Sequence, residues 1–288
     1  MAEKTIKFAI NDNSLFGILN LPDDAEAIES IVLMIIGGAQ TRIGSHRMYV
    51  QLARHFCDNG VPVMRFDYQG LGDSEGEFVG FEYAGPSIRA AIDMLYAEFP
   101  ELKSLVIWSL CDGAAASMIY SAEDVDRISA MVLANPFLET EAGKAQTVLK
   151  YYYIKRLFDR ELWKKILGLK FKLSDSARSF LSLVKTSTSE EKGGWLGTGI
   201  TMPQCVLDGL NSFPNPVYFL ISSNDIQGLE FYDLIRNDKI CKSRIARGDI
   251  VVKSIKGGDH TFTDIEVKKI AFDESLLAIK ENALLPVV

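Results

Sequence analysis

The segment Ser109-Leu110-Cys111-Asp112-Gly113 sets two nucleophilic side chains two positions apart, where an apolar run gives way to a row of alanines. Residues 104–109 (SLVIWS) read as a buried strand and residues 112–121 as a helix. The pentapeptide is therefore a tight strand-to-helix turn of the nucleophile-elbow type. Such a turn crowds the residues two before and two after the nucleophile, so both must be small. Ser109 in that role would be flanked by Ile107 and Cys111, and isoleucine is too bulky. Cys111 would be flanked by Ser109 and Gly113, and Ala114 and Ala115 let the helix pack close behind. The spacing selects Cys111 and makes Ser109 a packing residue. A helix N-terminus carries unpaired N–H groups and partial positive charge, which favour a thiolate over a thiol. The Asp112 carboxylate, if turned inward, would oppose that.

A thiol nucleophile of this kind needs a base, and the chain has three histidines. His260 lies on the glycine-rich loop KGGDHTF after the last strand-like run. Loops at the carboxyl ends of parallel strands meet at the ligand crevice of an open α/β sheet, so His260 is the expected base. His55 reads as a surface or satisfied core residue. The base needs an orienting acid, and Asp225 follows the penultimate strand at the same end of the sheet. Asp259 and Asp264 stand too near His260 in sequence to reach its far ring nitrogen, and read as turn and helix-capping residues. An acyl-transfer site also needs oxyanion donors. One is the backbone N–H of Asp112. The other is assigned to Ala39 in the loop Gly37-Gly38-Ala39-Gln40, with Gly38 or Gln40 as one-residue alternatives; glycines there let the backbone come close to a ligand. Gly38, Gln40, Arg42, His46 and Arg47 surround that loop and form the expected substrate-binding group, the three cationic or imidazole side chains suiting a carboxylate or phosphate. An ordinary solvated helix start is the plainer reading of Arg42, His46 and Arg47.

These groups have to be positioned by a sheet. Residues 5–21 read as a β-hairpin turning at Asn11-Asp12-Asn13-Ser14. Further strands follow at 31–38 (IVLMIIGG), 62–67, 104–109, 128–135, 216–223 and 249–255. Helices are expected at 45–59, 84–98, 112–121, near 228–236 and near 264–282. This alternation predicts an α/β fold with a mostly parallel sheet covered on both faces. The alternation stops after Pro136. Residues 137–205, with stretches such as LKYYYIKRLFDRELWKKIL, have helical periodicity and no strand-like run. The expected organisation is a core in two parts, 1–136 and 206–288, interrupted by a helical cap or lid over 137–205.

The composition limits the function classes. The chain has 288 residues, 48% hydrophobic and 24% charged, with a net charge of −7. These are globular values, and the negative charge disfavours a nucleic-acid partner. The cysteines at 57, 111, 205 and 241 include no CxxC pair, so neither a zinc knuckle nor a redox pair is indicated. No metal or cofactor is expected. No apolar run reaches the ~18 residues of a membrane span and no leader is visible, so the expected setting is cytoplasmic.

The order Cys111…Asp225…His260 is the nucleophile–acid–base order of the α/β-hydrolase fold, and the chain resembles that superfamily over essentially its whole length. The segment RFDYQGLGDS (65–74) resembles the superfamily's D-x-R-G-x-G-x-S turn, with Gln69 where arginine is usual. More narrowly, GGAQTRIGSHR, RFDYQGLGDSEG, SLCDGA and SSNDIQG together resemble the type 1 hydrolases encoded beside bacterial exosortase systems. In those, as in dienelactone hydrolases, a cysteine occupies the elbow. That resemblance implies a link to exopolysaccharide production.

The expected chemistry is hydrolysis of a carboxylic ester or thioester of a small acyl substrate through a Cys111–His260–Asp225 triad. A non-catalytic binding protein of the same fold and an acyltransferase with an alcohol or amine acceptor are the alternatives. Helical lids can pair between subunits, so a homodimer is compatible with the sequence, though nothing in it requires one.

Overall fold

A computed structural model describes residues 1–23, 27–138 and 200–282. Eight strands form one sheet: β1 (Ala2–Ile10), β2 (Asn13–Leu21), β3 (Ser30–Ile35), β4 (Val63–Phe66), β5 (Ser104–Leu110), β6 (Ala130–Ala134), β7 (Val217–Ser222) and β8 (Ile250–Ile255), in the order β1-β2-β4-β3-β5-β6-β7-β8. The β1–β2 and β2–β4 pairings are antiparallel, and every pairing from β4 through β3 to β8 is parallel. The central strands β3, β5, β6 and β7 are buried at every position. This explains why they read as continuous apolar runs rather than as alternating patterns: helices cover both faces of a parallel sheet.

The helices are α1 (Met48–Asp58), α2 (Gly85–Glu98), α3 (Asp112–Ser121), α4 (Met202–Ser212), α5 (Ile226–Asn237), α6 (Lys239–Arg247) and α7 (Ile265–Asn282). Two of these depart from expectation, besides α4, which begins within the expected insertion and runs on past its boundary at 205. The helix expected to start at residue 45 begins instead at Met48. His46 and Arg47 have φ of 52° and 57°, the left-handed region, and form a single 3-10 turn before it. The second is α6, which has no counterpart among the expected helices. Its local signals are present: Asp238 accepts from Cys241 N–H at 2.8 Å as an N-cap, and Gly248 closes the helix at φ 86°. The hairpin turn is tighter than expected, since Ile10 pairs with Asn13 and leaves only Asn11 and Asp12 in the bend. The helical insertion expected over 137–205 lies almost wholly outside the described residues. Among the described residues no helix is long and apolar enough to cross a membrane.

The parallel strands all end on the same edge of the sheet. Cys111 follows β5, Asn135 follows β6, Asp225 lies three residues past β7 and His260 five past β8, while the Gly37-Gly38 loop leaves β3. The crevice at that edge is where an open α/β sheet builds its ligand site.

Candidate active site

Cys111 is the N-cap residue of α3, with φ 64° and ψ −134°. A non-glycine residue held there costs about 1–3 kcal/mol unless its surroundings enforce it. Three backbone hydrogen bonds do so. Cys111 N–H donates to Ala134 O at 3.1 Å, and Cys111 O accepts from Ala114 N–H at 3.0 Å and Phe137 N–H at 3.1 Å. Its thiol is partly exposed and in no disulfide. Ser109 is fully buried, its hydroxyl 3.1 Å from that of Ser117, which in turn donates to Gly113 O at 2.7 Å. The requirement for small flanking residues has a steric origin. A Cβ on Gly113 would lie 2.8 Å from Ile35 O and Ile36 O, and one on Gly37 would lie 2.3 Å from Leu110 O and 3.1 Å from the Cys111 Cβ. The β3 loop and the elbow touch backbone to backbone, which only glycine permits.

His260 and Asp225 meet as neighbours across two strands. His260 Nδ1 lies 2.9 Å from Asp225 Oδ2, and Asp225 is only 6% exposed. The same carboxylate oxygen accepts from Gly228 N–H at 2.9 Å, so Asp225 also caps α5. The Cys111 side chain also lies close enough to favour the charged imidazole. Burial works against the charged imidazole, but its interactions with Asp225 and Cys111 outweigh it and push His260 up to about 10, from an ordinary value of 6.5. A folded-state value raised in this way means that protonated His260 stabilises the fold. That contribution is complete below 6.5 and is lost as pH rises through about 10. The stability difference between wild type and His260→Gln, measured by chemical denaturation across this range, is expected to shrink as pH rises; a difference that widens would contradict the pairing.

Asn135 was not among the expected site residues. It is fully buried with φ 41°, a conformation that asparagine tolerates better than most residues. Its amide nitrogen donates to Ser222 Oγ and His260 O, both at 2.9 Å, and its Oδ1 accepts from Ser222 N–H at 2.8 Å. It thus ties the His260 loop to the end of β7. The one sequence signal is the Asn-Pro dipeptide closing a strand, which marks a turn but not this role. Asn135→Ala would leave buried partners unsatisfied, and an equilibrium unfolding measurement is expected to show a loss of about 2–3 kcal/mol.

The oxyanion region differs in detail from the sequence expectation. Gly37 N–H donates to the Tyr49 hydroxyl at 3.2 Å, and Gly38 N–H donates to the Asp112 carboxylate. The Asp112 and Gly113 amides face that same carboxylate. Burial pushes the Asp112 carboxyl above its ordinary value, against the pull of these amides. No described residue is recorded accepting from Ala39 N–H, and Gln40 Oε1 accepts from Ser45 Oγ at 3.2 Å. Arg42 is committed elsewhere: its guanidinium pairs with Asp67 and Asp73, and its N–H donates to Asp67 Oδ1 at 2.6 Å. Asp67 is fully buried, so Arg42 serves as its counter-ion and clamps the β4 turn rather than standing ready for a substrate anion. His46 and Arg47 are exposed. Asp259 and Asp264 hold turn positions, accepting from Thr263 N–H at 2.9 Å and from Val267 N–H at 3.0 Å. Among the described residues no cluster of three or more His, Cys, Asp or Glu is placed to hold a metal.

Comparison with known proteins agrees with this architecture. Residues 29–181 match the family model described as serine aminopeptidase, S33. The matched stretch carries the β3 loop and the elbow and ends before Asp225 and His260. No curated protein matches the chain. Solved structures with the same fold include the Pyrococcus furiosus esterase Pf2001 (16% identity, TM-score 0.63, covering 98% of this chain and 92% of that one). Others are Est1E from Butyrivibrio proteoclasticus with ferulic acid bound (16%, TM-score 0.61, 96% and 98%) and a dienelactone hydrolase from Anabaena variabilis (12%, TM-score 0.62, 98% and 98%). The fold is the α/β-hydrolase fold.

Proposed function

The chain belongs to the serine aminopeptidase S33 family of hydrolases, and from that premise we propose that it cleaves carboxylic ester or thioester bonds by acyl transfer through Cys111. The observation that carries this reading is the His260 imidazole, bonded to Asp225 at 2.9 Å at the same strand edge as Cys111, the partly exposed N-cap residue of α3. In a family named for serine, this chain has cysteine at the elbow, and the only nearby serine on the strand is buried.

His260 takes the Cys111 proton, and the sulfur forms a bond to the substrate carbonyl carbon. The carbonyl electron pair moves to oxygen, where the Asp112 amide and an amide of the Gly38-Ala39 pair hold it. The pair returns, the C–O or C–S bond to the leaving group breaks, and His260 delivers the proton to that group. Water, deprotonated by His260, then attacks the acyl-cysteine thioester and releases the acid and the thiol. Asp225 holds the imidazole in one orientation throughout. The Tyr, Trp and Leu content of residues 137–205 suits an apolar acyl or aryl substrate. The four motifs resembling hydrolases encoded beside exosortase systems support a place near exopolysaccharide production.

A series of short and long p-nitrophenyl esters and acyl thioesters, with and without alcohol or amine acceptors, tests the reaction class. Release of free acid without an acceptor supports hydrolysis, and products that appear only with an acceptor support transfer. One observation favours a second, non-catalytic reading: Gly38 N–H already has a carboxylate partner. Absence of turnover on every ester and thioester, together with slow alkylation of Cys111, would favour that reading.

A further inference from the structure

The Asp112 side chain turns back from the first residue of α3 and reaches a different element. Its Oδ1 accepts from Gly38 N–H, in the loop after β3. The same oxygen lies 2.8 Å from where a Cβ on Gly37 would stand, beside the Cys111 Cβ at 3.1 Å from that point. An acid in the first turn of a helix ordinarily needs nothing beyond the amides of its own turn. Those of Asp112 and Gly113 face this carboxylate too. The contact to Gly38 is therefore not explained by capping. The amide after the nucleophile and an amide of the facing loop are the two donors that an acyl-transfer site directs at a developing oxyanion. Here the Asp112 side chain already holds the Gly38 amide of that loop, beside the elbow.

We propose that the Asp112 carboxylate is a resident ligand of the oxyanion site, seated on the Gly38 amide of the loop that a substrate carbonyl oxygen must approach, so that acylation of Cys111 begins with its displacement. This rests on the reading of Cys111 as the nucleophile. A neutral ester oxygen is a weaker acceptor than a carboxylate, so unactivated carbonyls are excluded from that donor until Asp112 leaves. The residue acts as an internal competitor and sets how strongly a carbonyl must be activated, or how well the rest of the substrate must bind, before attack succeeds.

The test compares wild type, Asp112→Ala and Asp112→Asn by three readouts. One is the p-nitrophenol burst that reports acylation. The second is alkylation of Cys111 by iodoacetamide, which uses the thiol but not the oxyanion donors. The third is inhibition by added acetate. With that donor vacated, Asp112→Ala is expected to raise the ratio of acylation to alkylation rate by about 10- to 100-fold, the range for breaking one charge-assisted hydrogen bond. Asp112→Asn, with a neutral oxygen in the same place, is expected to fall between the two, and it carries the test if the alanine variant fails to fold. Acetate is expected to inhibit Asp112→Ala competitively and to leave the wild type unaffected, a pattern that loss of a helix cap would not produce. A burst equal to or slower than wild type in both folded variants, without new acetate inhibition, overturns the inference and leaves Cys111 as nucleophile. No burst in any variant overturns the nucleophile reading, and the inference with it.

Discussion

Cys111→Ala is expected to lower turnover of an activated ester by at least about 10⁴-fold, leaving only what bound donors provide over water. Cys111 sits at φ 64° on the elbow, and three backbone hydrogen bonds hold it there. The neighbouring Ser109 cannot replace it, because it is fully buried and bonded to Ser117. Alanine keeps the small volume and leaves the backbone bonds in place, so the variant should fold as wild type and bind substrate with little change in KM. Cys111→Ser tests the matching of nucleophile and base. Its hydroxyl is far harder to deprotonate than a thiol, so the serine variant is expected to recover only a small part of the lost rate. Steady-state kinetics with p-nitrophenyl acetate measures both; full activity in Cys111→Ala would remove the assignment.

The second large effect is expected at Asp225. Asp225→Asn sets two contacts against each other, because the one oxygen Oδ2 both accepts from Gly228 N–H and faces His260 Nδ1. With its amide nitrogen turned to that position, it would present a donor where the imidazole now has an acceptor, and the α5 cap would be lost with it. The ring would then adopt the other tautomer, with its proton directed at Cys111. A loss of kcat on the order of 10⁴ follows when an orienting acid is neutralised in this way, with KM nearly unchanged. Asp225→Ala likewise loses the cap, typically worth about 1 kcal/mol of stability. Equal activity in Asp225→Asn and wild type would mean that the carboxylate is only a cap.

The sheet and the elbow were legible because their physics is local. The run IVLMII, closed by two glycines, reads as a strand buried on both faces, and the crowding around the elbow distinguishes Cys111 from Ser109 by the size of Ile107 alone. Asp225 and His260 could be chosen because a parallel sheet brings the ends of its strands to one edge. What remained hidden depends on side-chain direction and on partners distant in sequence. Arg42 looked available for a substrate anion, but buried Asp67, 25 residues away, claims it. His46 and Arg47 looked helical, but both adopt left-handed backbone before α1. Asn135 is an unremarkable Asn-Pro in sequence, and only the fold shows it bonded to Ser222 and His260. The inward turn of Asp112 onto Gly38 likewise joins residues 74 apart.

Chemical trapping of the acyl group is the most direct measurement. Wild-type protein quenched in acid during p-nitrophenyl acetate turnover, then digested and analysed by mass spectrometry, should carry one acetyl group on the peptide containing Cys111. The label should be absent from Cys111→Ala and should accumulate only slowly in His260→Ala. Steady turnover with Cys111 unmodified, or with the acetyl group on another residue, would contradict the role given to this sulfur.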